Sequence, residues 1–202
     1  MTPQQPVHAT GAIILAGGRG RRLRRDKGLV LVEGTPIVVR VLRAARAVAA
    51  RIVVVGSEAI PTDTDVSVIP DEVPGAGPAH GLLVGLQAVG CPVALLVAWD
   101  MPFVEAPLLR FIGEQVGECE AAVPVVGGQP EPLCAAYRQS CVPVLEALNR
   151  GVNVPMREVL VRLRVRWIEE HELRSFGDPT RLFFNVNTAA DLATAQKMAS
   201  GE

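Results

Sequence analysis

Six basic residues, Arg19, Arg21, Arg22, Arg24, Arg25 and Lys27, fall within nine positions and follow directly on Gly17-Gly18. A glycine pair lets the chain turn with positive φ, and no Cβ keeps a ligand from the backbone. Exposed N–H groups followed by dense positive charge suit a polyphosphate. Gly18-Arg19-Gly20 lacks the third glycine of a dinucleotide-binding loop, and no Gly-Lys-Ser/Thr of a Walker loop follows. Taken singly, the glycine pair reads as a turn and the basic run as a solvated face or a nucleic-acid patch. Their order favours phosphate binding: an apolar run, glycines, a basic loop, then Asp26-Lys27-Gly28 before more apolar sequence.

Carboxylates and amides supply the other candidate chemistry. Asp100 stands just beyond the apolar run Val93–Ala98 and is followed by Met101-Pro102. An acid there can hold Mg²⁺, which prefers oxygen ligands and phosphate partners; the alternative role is a turn or helix-capping aspartate. Asp71, after a second apolar run, can hydrogen-bond a nucleoside or simply begin a Pro-Gly loop. Asn185 and Asn187 alternate along Phe184-Asn185-Val186-Asn187-Thr188, which on a strand turns both to one side. Two amides suit a polar substrate or a metal's outer shell, or else turn and capping chemistry. His8, His80 and His171 form no cluster, although His80 could touch a ligand. No Ser-His-Asp arrangement is visible, and no cysteine has a clear partner base.

Composition narrows the classes. The 202 residues suffice for one domain with a full core. Hydrophobic residues make up 49% and aromatics only 4%, so Val, Leu, Ile and Ala must build that core. A net charge of −1 makes the basic cluster local and argues against a general nucleic-acid binder. Cys91, Cys119, Cys134 and Cys141 include no Cys-x-x-Cys pair, so they are expected reduced, in a cytoplasmic protein. The polar start carries no secretory pattern, and Val93–Ala98 is far too short to span a bilayer. No membrane or nucleic-acid partner is expected.

Strands and helices that would position these residues alternate along the chain. After a flexible tail over residues 1–10, a single domain is expected over 11–202. Strand patterns cover 11–16, 52–55, 66–69, 93–98 and 121–126, with shorter ones at 133–138, 165–168 and 182–186. Helical patterns cover 37–49, entered through Gly34-Thr35-Pro36 with Pro36 at the first helical position, then 80–89, 105–116, 140–150, 155–162 and 188–198. Thr188 can cap the last of these, with Asp191 favourably placed against its dipole. This alternation implies an α/β protein with a mainly parallel sheet covered on both faces. Ligands then sit beyond the carboxyl ends of the strands, where Gly17, Asp71 and Asp100 would meet.

With these residues assembled, the chain resembles the molybdenum cofactor guanylyltransferases, within the wider nucleotidyltransferases, over about residues 11–196. Leu15-Ala16-Gly17-Gly18, Arg22 and Asp26-Lys27-Gly28 look like the family's nucleotide loop. Gly77-Pro78 and Gly81 are similar to its following glycine loop, and Asp100-Met101-Pro102-Phe103 to its metal-binding motif. Phe184-Asn185-Val186-Asn187-Thr188 with Asp191-Leu192 matches its closing motif. Departures are Leu23 and Arg24 for a methionine and a glycine, Ala79-His80 in the second loop, and Gly56 where some members carry an asparagine.

The resemblance implies a three-layer Rossmann-like nucleotidyltransferase fold. It implies GTP contacts at Leu15, Ala16, Gly17, Gly18, Lys27, Asp71 and Asp100, Mg²⁺ on Asp100, and molybdopterin against Asn185 and Asn187. Arg22, Lys27 and Asp100 would act in catalysis, by alignment and charge neutralisation as molybdopterin carrying molybdenum displaces pyrophosphate from GTP. Proteins that deliver molybdopterin or mature molybdoenzymes would be partners. Alternatives are a sister cytidylyltransferase, another nucleotidyltransferase, or a catalytically silent nucleotide-binding module.

Overall fold

The computed structural model describes residues 10–17, 27–56, 66–70, 73, 75–148 and 153–201. Among the described residues the strands run in chain order: β1 (Thr10–Ala16), β2 (Leu31–Val32), β3 (Thr35–Pro36), β4 (Arg51–Gly56), β5 (Val66–Pro70), β6 (Val93–Ala98), β7 (Ala121–Val126), β8 (Gln129–Pro130), β9 (Cys134–Arg138) and β10 (Val165–Ile168). The helices are α1 (Ile37–Arg46), α2 (Pro78–Val89), α3 (Ala106–Glu114), α4 (Val142–Leu148), α5 (Met156–Leu160), α6 (Glu170–Leu173), α7 (Pro179–Leu182) and α8 (Ala189–Ser200).

One sheet organises them in the order β10-β7-β9-β6-β1-β4-β5, with β8 paired to β7, while β2 and β3 form a separate hairpin. Strands β6, β1, β4 and β5 run parallel, as do β7 and β10; β9 lies antiparallel between β6 and β7. The mainly parallel, doubly covered sheet is as expected. Alternation along β1 explains the three layers. Ala12, Ile14 and Ala16 face one side and pack with Val38 and Val41 of α1 and Leu108 and Ile112 of α3. Ile13 and Leu15 face the other and pack with Leu82 and Leu86 of α2 and Val159 of α5. Neither face meets water, so these strands read as continuous apolar runs.

Strands 93–98, 121–126 and 165–168 have their expected bounds, and most helices differ only at the ends. Two expectations are corrected. The segment 182–186 is not a strand. Asp178 accepts a hydrogen bond from the N–H of Thr180 (3.0 Å) and Pro179 occupies the first turn, so α7 begins there. Beyond it, the N–H of Val186 donates to the carbonyl of Asp100 (2.9 Å) rather than to a ladder. Pro36 is not the first helical residue: its ψ of 139° is extended and it pairs with Leu31, so α1 starts at Ile37.

The last helix has the cap foreseen for it. The Thr188 hydroxyl accepts from the N–H of Asp191 (3.1 Å), and the Asp191 carboxylate accepts from the N–H groups of Thr188 (2.8 Å) and Asn187 (2.9 Å). Among the described residues no helix is long and apolar enough to cross a membrane.

Candidate active site

From β1 the chain moves outward through β4 and β5, then returns across β1 to form β6 on its other side. That reversal places a topological switch point between β1 and β6, where the helices diverge and leave a crevice beyond the strand ends. A cavity of about 360 Å³ opens there. Leu15 and Gly17 enter it from the end of β1, Val55 and Gly56 from β4, and Ala98, Trp99 and Asp100 from β6. Register aligns these ends, since Leu15 is the partner of both Val55 and Ala98.

Backbone hydrogen bonds carry the order past the ladder. The N–H of Trp99 donates to the carbonyl of Leu15 (3.1 Å) and that of Ala98 to the carbonyl of Leu133 (2.8 Å). The half-buried Asp100 is held from behind by the Val186 bond already described, which brings the closing segment alongside it. Asn187 therefore lines the same crevice.

The opposite wall is the loop into α2, with Gly75, Gly77, Pro78 and Gly81. Gly77 has φ of +84° and starts α2 without a side-chain cap. The first N–H groups of α2, and the positive end of its dipole, therefore stand at the crevice mouth and favour an anionic ligand. At Gly81 an added Cβ would lie 2.7 Å from Leu15 Cδ2, so glycine lets α2 press onto the end of β1. Gly56 has φ of +124°, and a Cβ there would meet the Ala16 carbonyl oxygen at 2.7 Å. An asparagine in its place would need the β4 end rebuilt, so the departure noted at Gly56 is built into this backbone.

The structure divides the sequence-derived candidates. Leu15, Gly17, Asp100 and Asn187 come together around one cavity. The Ala16 side chain turns away into the core under α1, leaving only its peptide near the crevice. Asn185 and Asn187 do not face the same side as expected: without a strand to alternate along, the amide of Asn185 donates back to the Phe183 carbonyl (2.9 Å) and braces the segment. Gly18, Arg22 and Asp71 lie outside the described residues, as does His8. Lys27 is described in its backbone only, at the start of the 3-10 turn Lys27–Leu29.

Asn153 lines the crevice although nothing in the sequence marked it. It belongs to the connection between α4 and α5, and its Oδ1 lies 2.0 Å from where a Cβ on Gly77 would stand. No motif surrounds it; the positive φ required of Gly77 was the one available signal, and it names no partner.

Cysteine chemistry finds no support. Burial raises the thiol of Cys91, raises that of Cys134 further, and pushes Cys141 up to about 12, so all three stay protonated at neutral pH. Among the described residues no three of His, Cys, Asp and Glu gather as a metal site. Among the described residues the crevice offers instead the Asp100 carboxylate, Asn153 and Asn187, glycine backbone and a helix N-terminus.

Comparison with known proteins gives this arrangement a family. The model of the MobA-like NTP transferase domain matches residues 12–167. The chain belongs to the MobA-like NTP transferase family. A "Probable molybdenum cofactor guanylyltransferase" from Pelotomaculum thermopropionicum is 34% identical over 194 residues, covering 96% of this chain and 94% of that protein. A "Molybdenum cofactor guanylyltransferase" from Desulfosudis oleivorans is 29% identical, covering 94% and 96%. Among solved structures, the molybdopterin-guanine dinucleotide biosynthesis protein A from Archaeoglobus fulgidus is 30% identical with a TM-score of 0.80, covering 95% of this chain and all of that one. A 2-C-methyl-D-erythritol 4-phosphate cytidylyltransferase from Thermus thermophilus shares the fold, with a TM-score of 0.68 at 18% identity.

Proposed function

We propose that this chain transfers GMP from GTP to molybdopterin carrying molybdenum, forming the guanine dinucleotide and releasing pyrophosphate. The observation that carries the reading is the meeting of Asp100, Gly17 and the uncapped start of α2 around one crevice, in a chain matching guanylyltransferases over nearly its whole length. The terminal phosphate oxygen of molybdopterin attacks the α-phosphorus of GTP. A new P–O bond forms there, the bond from the α-phosphorus to the bridging oxygen breaks, and pyrophosphate departs with the electron pair. The attacking phosphate is already an anion, so no protein base must take a proton. That fits a crevice whose described lining residues include no nucleophile with a partner base.

Alignment and charge then account for the rate. Leu15, Val55 and Pro78 give apolar surface for the base, with peptide groups of Gly17, Gly56 and Gly77 at its edges. Asp71 holds the nucleoside. Lys27, Arg22 and the peptide of Gly18 neutralise and grip the phosphates, and Asn187 meets the molybdopterin. Asp100 suits Mg²⁺: among the described residues it is the carboxylate that lines the crevice, and a single carboxylate matches an ion that shares its shell with waters and substrate phosphates. When bound, the ion would supply neutralisation of the leaving pyrophosphate. The reaction would take place in the cytoplasm and draw on proteins that deliver molybdopterin.

Pyrophosphate release with GTP and Mg²⁺, with and without molybdopterin, tests the reading. Release that requires molybdopterin is expected; GTP binding without release in either case would make the protein a silent nucleotide-binding module.

A further inference from the structure

The proposed reaction draws charge from two separate parts of the chain: Lys27, at the end of the basic loop, and Asp100, two residues beyond β6. Each has a neighbour whose packing is unusually tight. Gly28 is buried, and a Cβ on it would lie 2.4 Å from Cε3, 2.7 Å from Cδ2 and 3.1 Å from Cζ3 of Trp99. The α-carbon of Gly28 therefore rests directly on the benzo half of the indole. No side chain larger than hydrogen fits between the two without displacing one of them.

The ring has little room to yield. Trp99 is 3% exposed and belongs to the core cluster beneath α1 and α3, where Val32, Ile37 and Met101 are also packed. Its backbone N–H is tied to the Leu15 carbonyl. Its indole Nε1 is buried and has no hydrogen-bond partner among the described residues, so packing holds the ring. On the other side, Gly28 lies in the short turn Lys27–Leu29, whose following residues Leu29 and Val30 pack against the same cluster.

We propose that Trp99 and Gly28 form a strut that fixes the spacing between the phosphate loop ending at Lys27 and the turn carrying Asp100. The contact is one residue removed from each. A displacement at the contact is therefore passed along two short, core-anchored backbones to the two groups that must meet the same triphosphate. Trp99 and Gly28 are positioning residues in this role. The inference rests on the guanylyl-transfer reading and assigns to that site the device that sets its charge geometry.

The test is a cycle of Gly28→Ala, Trp99→Leu and the double variant, each assayed for turnover and titrated with GTP and with guanosine. Misplacing reacting groups by about 1 Å costs on the order of a hundredfold in rate, so Gly28→Ala should lower turnover by about tenfold to a hundredfold. In the Trp99→Leu background, where the smaller side chain leaves room for the methyl group, the same change should cost little, a non-additivity expected of residues in contact. Gly28→Ala should also weaken GTP binding while leaving guanosine binding unchanged, because guanosine lacks the phosphates that the strut aligns. General damage to the fold would weaken both ligands together and would overturn the proposal. So would full turnover in Gly28→Ala, or an equal loss in both backgrounds. A wild-type protein inert with GTP and molybdopterin would overturn the guanylyl-transfer reading and the strut with it, whereas an active wild type beside an unimpaired Gly28→Ala overturns the strut alone.

Discussion

The two walls of the crevice are built differently. The wall made by the ends of β1 and β4 and the start of α2 presents Leu15, Val55 and Pro78 with glycines between them. Its described side chains carry no charge, so it selects a ligand by shape, by peptide groups and by the amide of Asn153 beside Gly77. The wall beyond β6 presents Asp100, with Asn187 brought to it by the Val186 hydrogen bond. Such a division suits a transferase: the first wall can hold a nucleoside unchanged through the reaction, while the second faces the phosphates where charge moves. Changes to the second wall should therefore reach turnover, and changes to the first should reach binding or the fold.

Asp100→Asn should have the largest effect. It keeps size and shape but removes the negative charge, and turnover should fall about a hundredfold or more, on the order of the 3–4 kcal/mol typical of lost preorganised electrostatics. The bond from the Val186 N–H survives the change, because it goes to the backbone carbonyl of Asp100, so thermal unfolding should change far less than turnover. Turnover across a Mg²⁺ titration beside a melting curve checks both halves, and wild-type turnover with unchanged Mg²⁺ dependence would remove the metal assignment.

Lys27→Ala should weaken GTP by about 1.5–3 kcal/mol, the scale of a charge-assisted hydrogen bond, with Arg19→Ala and Arg25→Ala costing less. Equal small losses at all three, read by calorimetric titration, would reduce the basic run to a solvated face.

The two asparagines sharpen the contrast within one segment. Asn187→Ala should lower turnover, because Asn187 lines the crevice beside Asp100. Asn185→Ala should instead cost about 1 kcal/mol of stability through the lost bond to Phe183, with molybdopterin affinity kept. Reversed outcomes, from paired melting curves and kinetics, would restore the single-faced arrangement expected of a strand.

The smallest effect lies far from either wall. The Glu170 carboxylate accepts from the N–H of Gly127 (2.8 Å) and then from Arg174 (3.3 Å), which hold its pKa below the ordinary 4.5. A carboxylate lowered by folding stabilises above its unfolded pKa and loses that contribution as pH falls through the folded one. Glu170→Gln should therefore melt slightly below wild type at neutral pH, with the gap closing only in acid below pH 4.5. A gap constant across that range would contradict the assignment.

What the sequence disclosed follows the same physics. Val93–Ala98 was legible to the residue because a strand buried on both faces is apolar without interruption. Gly17, Asp100 and Asn187 were legible because each ends or follows such an element, and the glycine loop because Gly77-Pro78 breaks one and begins another. The run Leu182-Phe183-Phe184 misled for a related reason: its apolar residues anchor a loop to the core, and only Asp178-Pro179 upstream signals a helix. The antiparallel direction of β9 leaves no mark in a stretch as short as Cys134–Arg138. Asn153 and the packing of Gly28 on Trp99 were hidden because each joins distant segments through tertiary contact, which spacing along the chain does not encode.

Guanylyl transfer itself is tested most directly by kcat/KM for GTP and for CTP in the presence of molybdopterin and Mg²⁺, with the dinucleotide product identified by mass. A site whose polar groups are matched to guanine leaves them unpaired against the wrong base and rejects it strongly. GTP should be preferred by a large factor, with the guanine dinucleotide as product. Comparable values for the two nucleotides, or a cytosine product, would contradict the account.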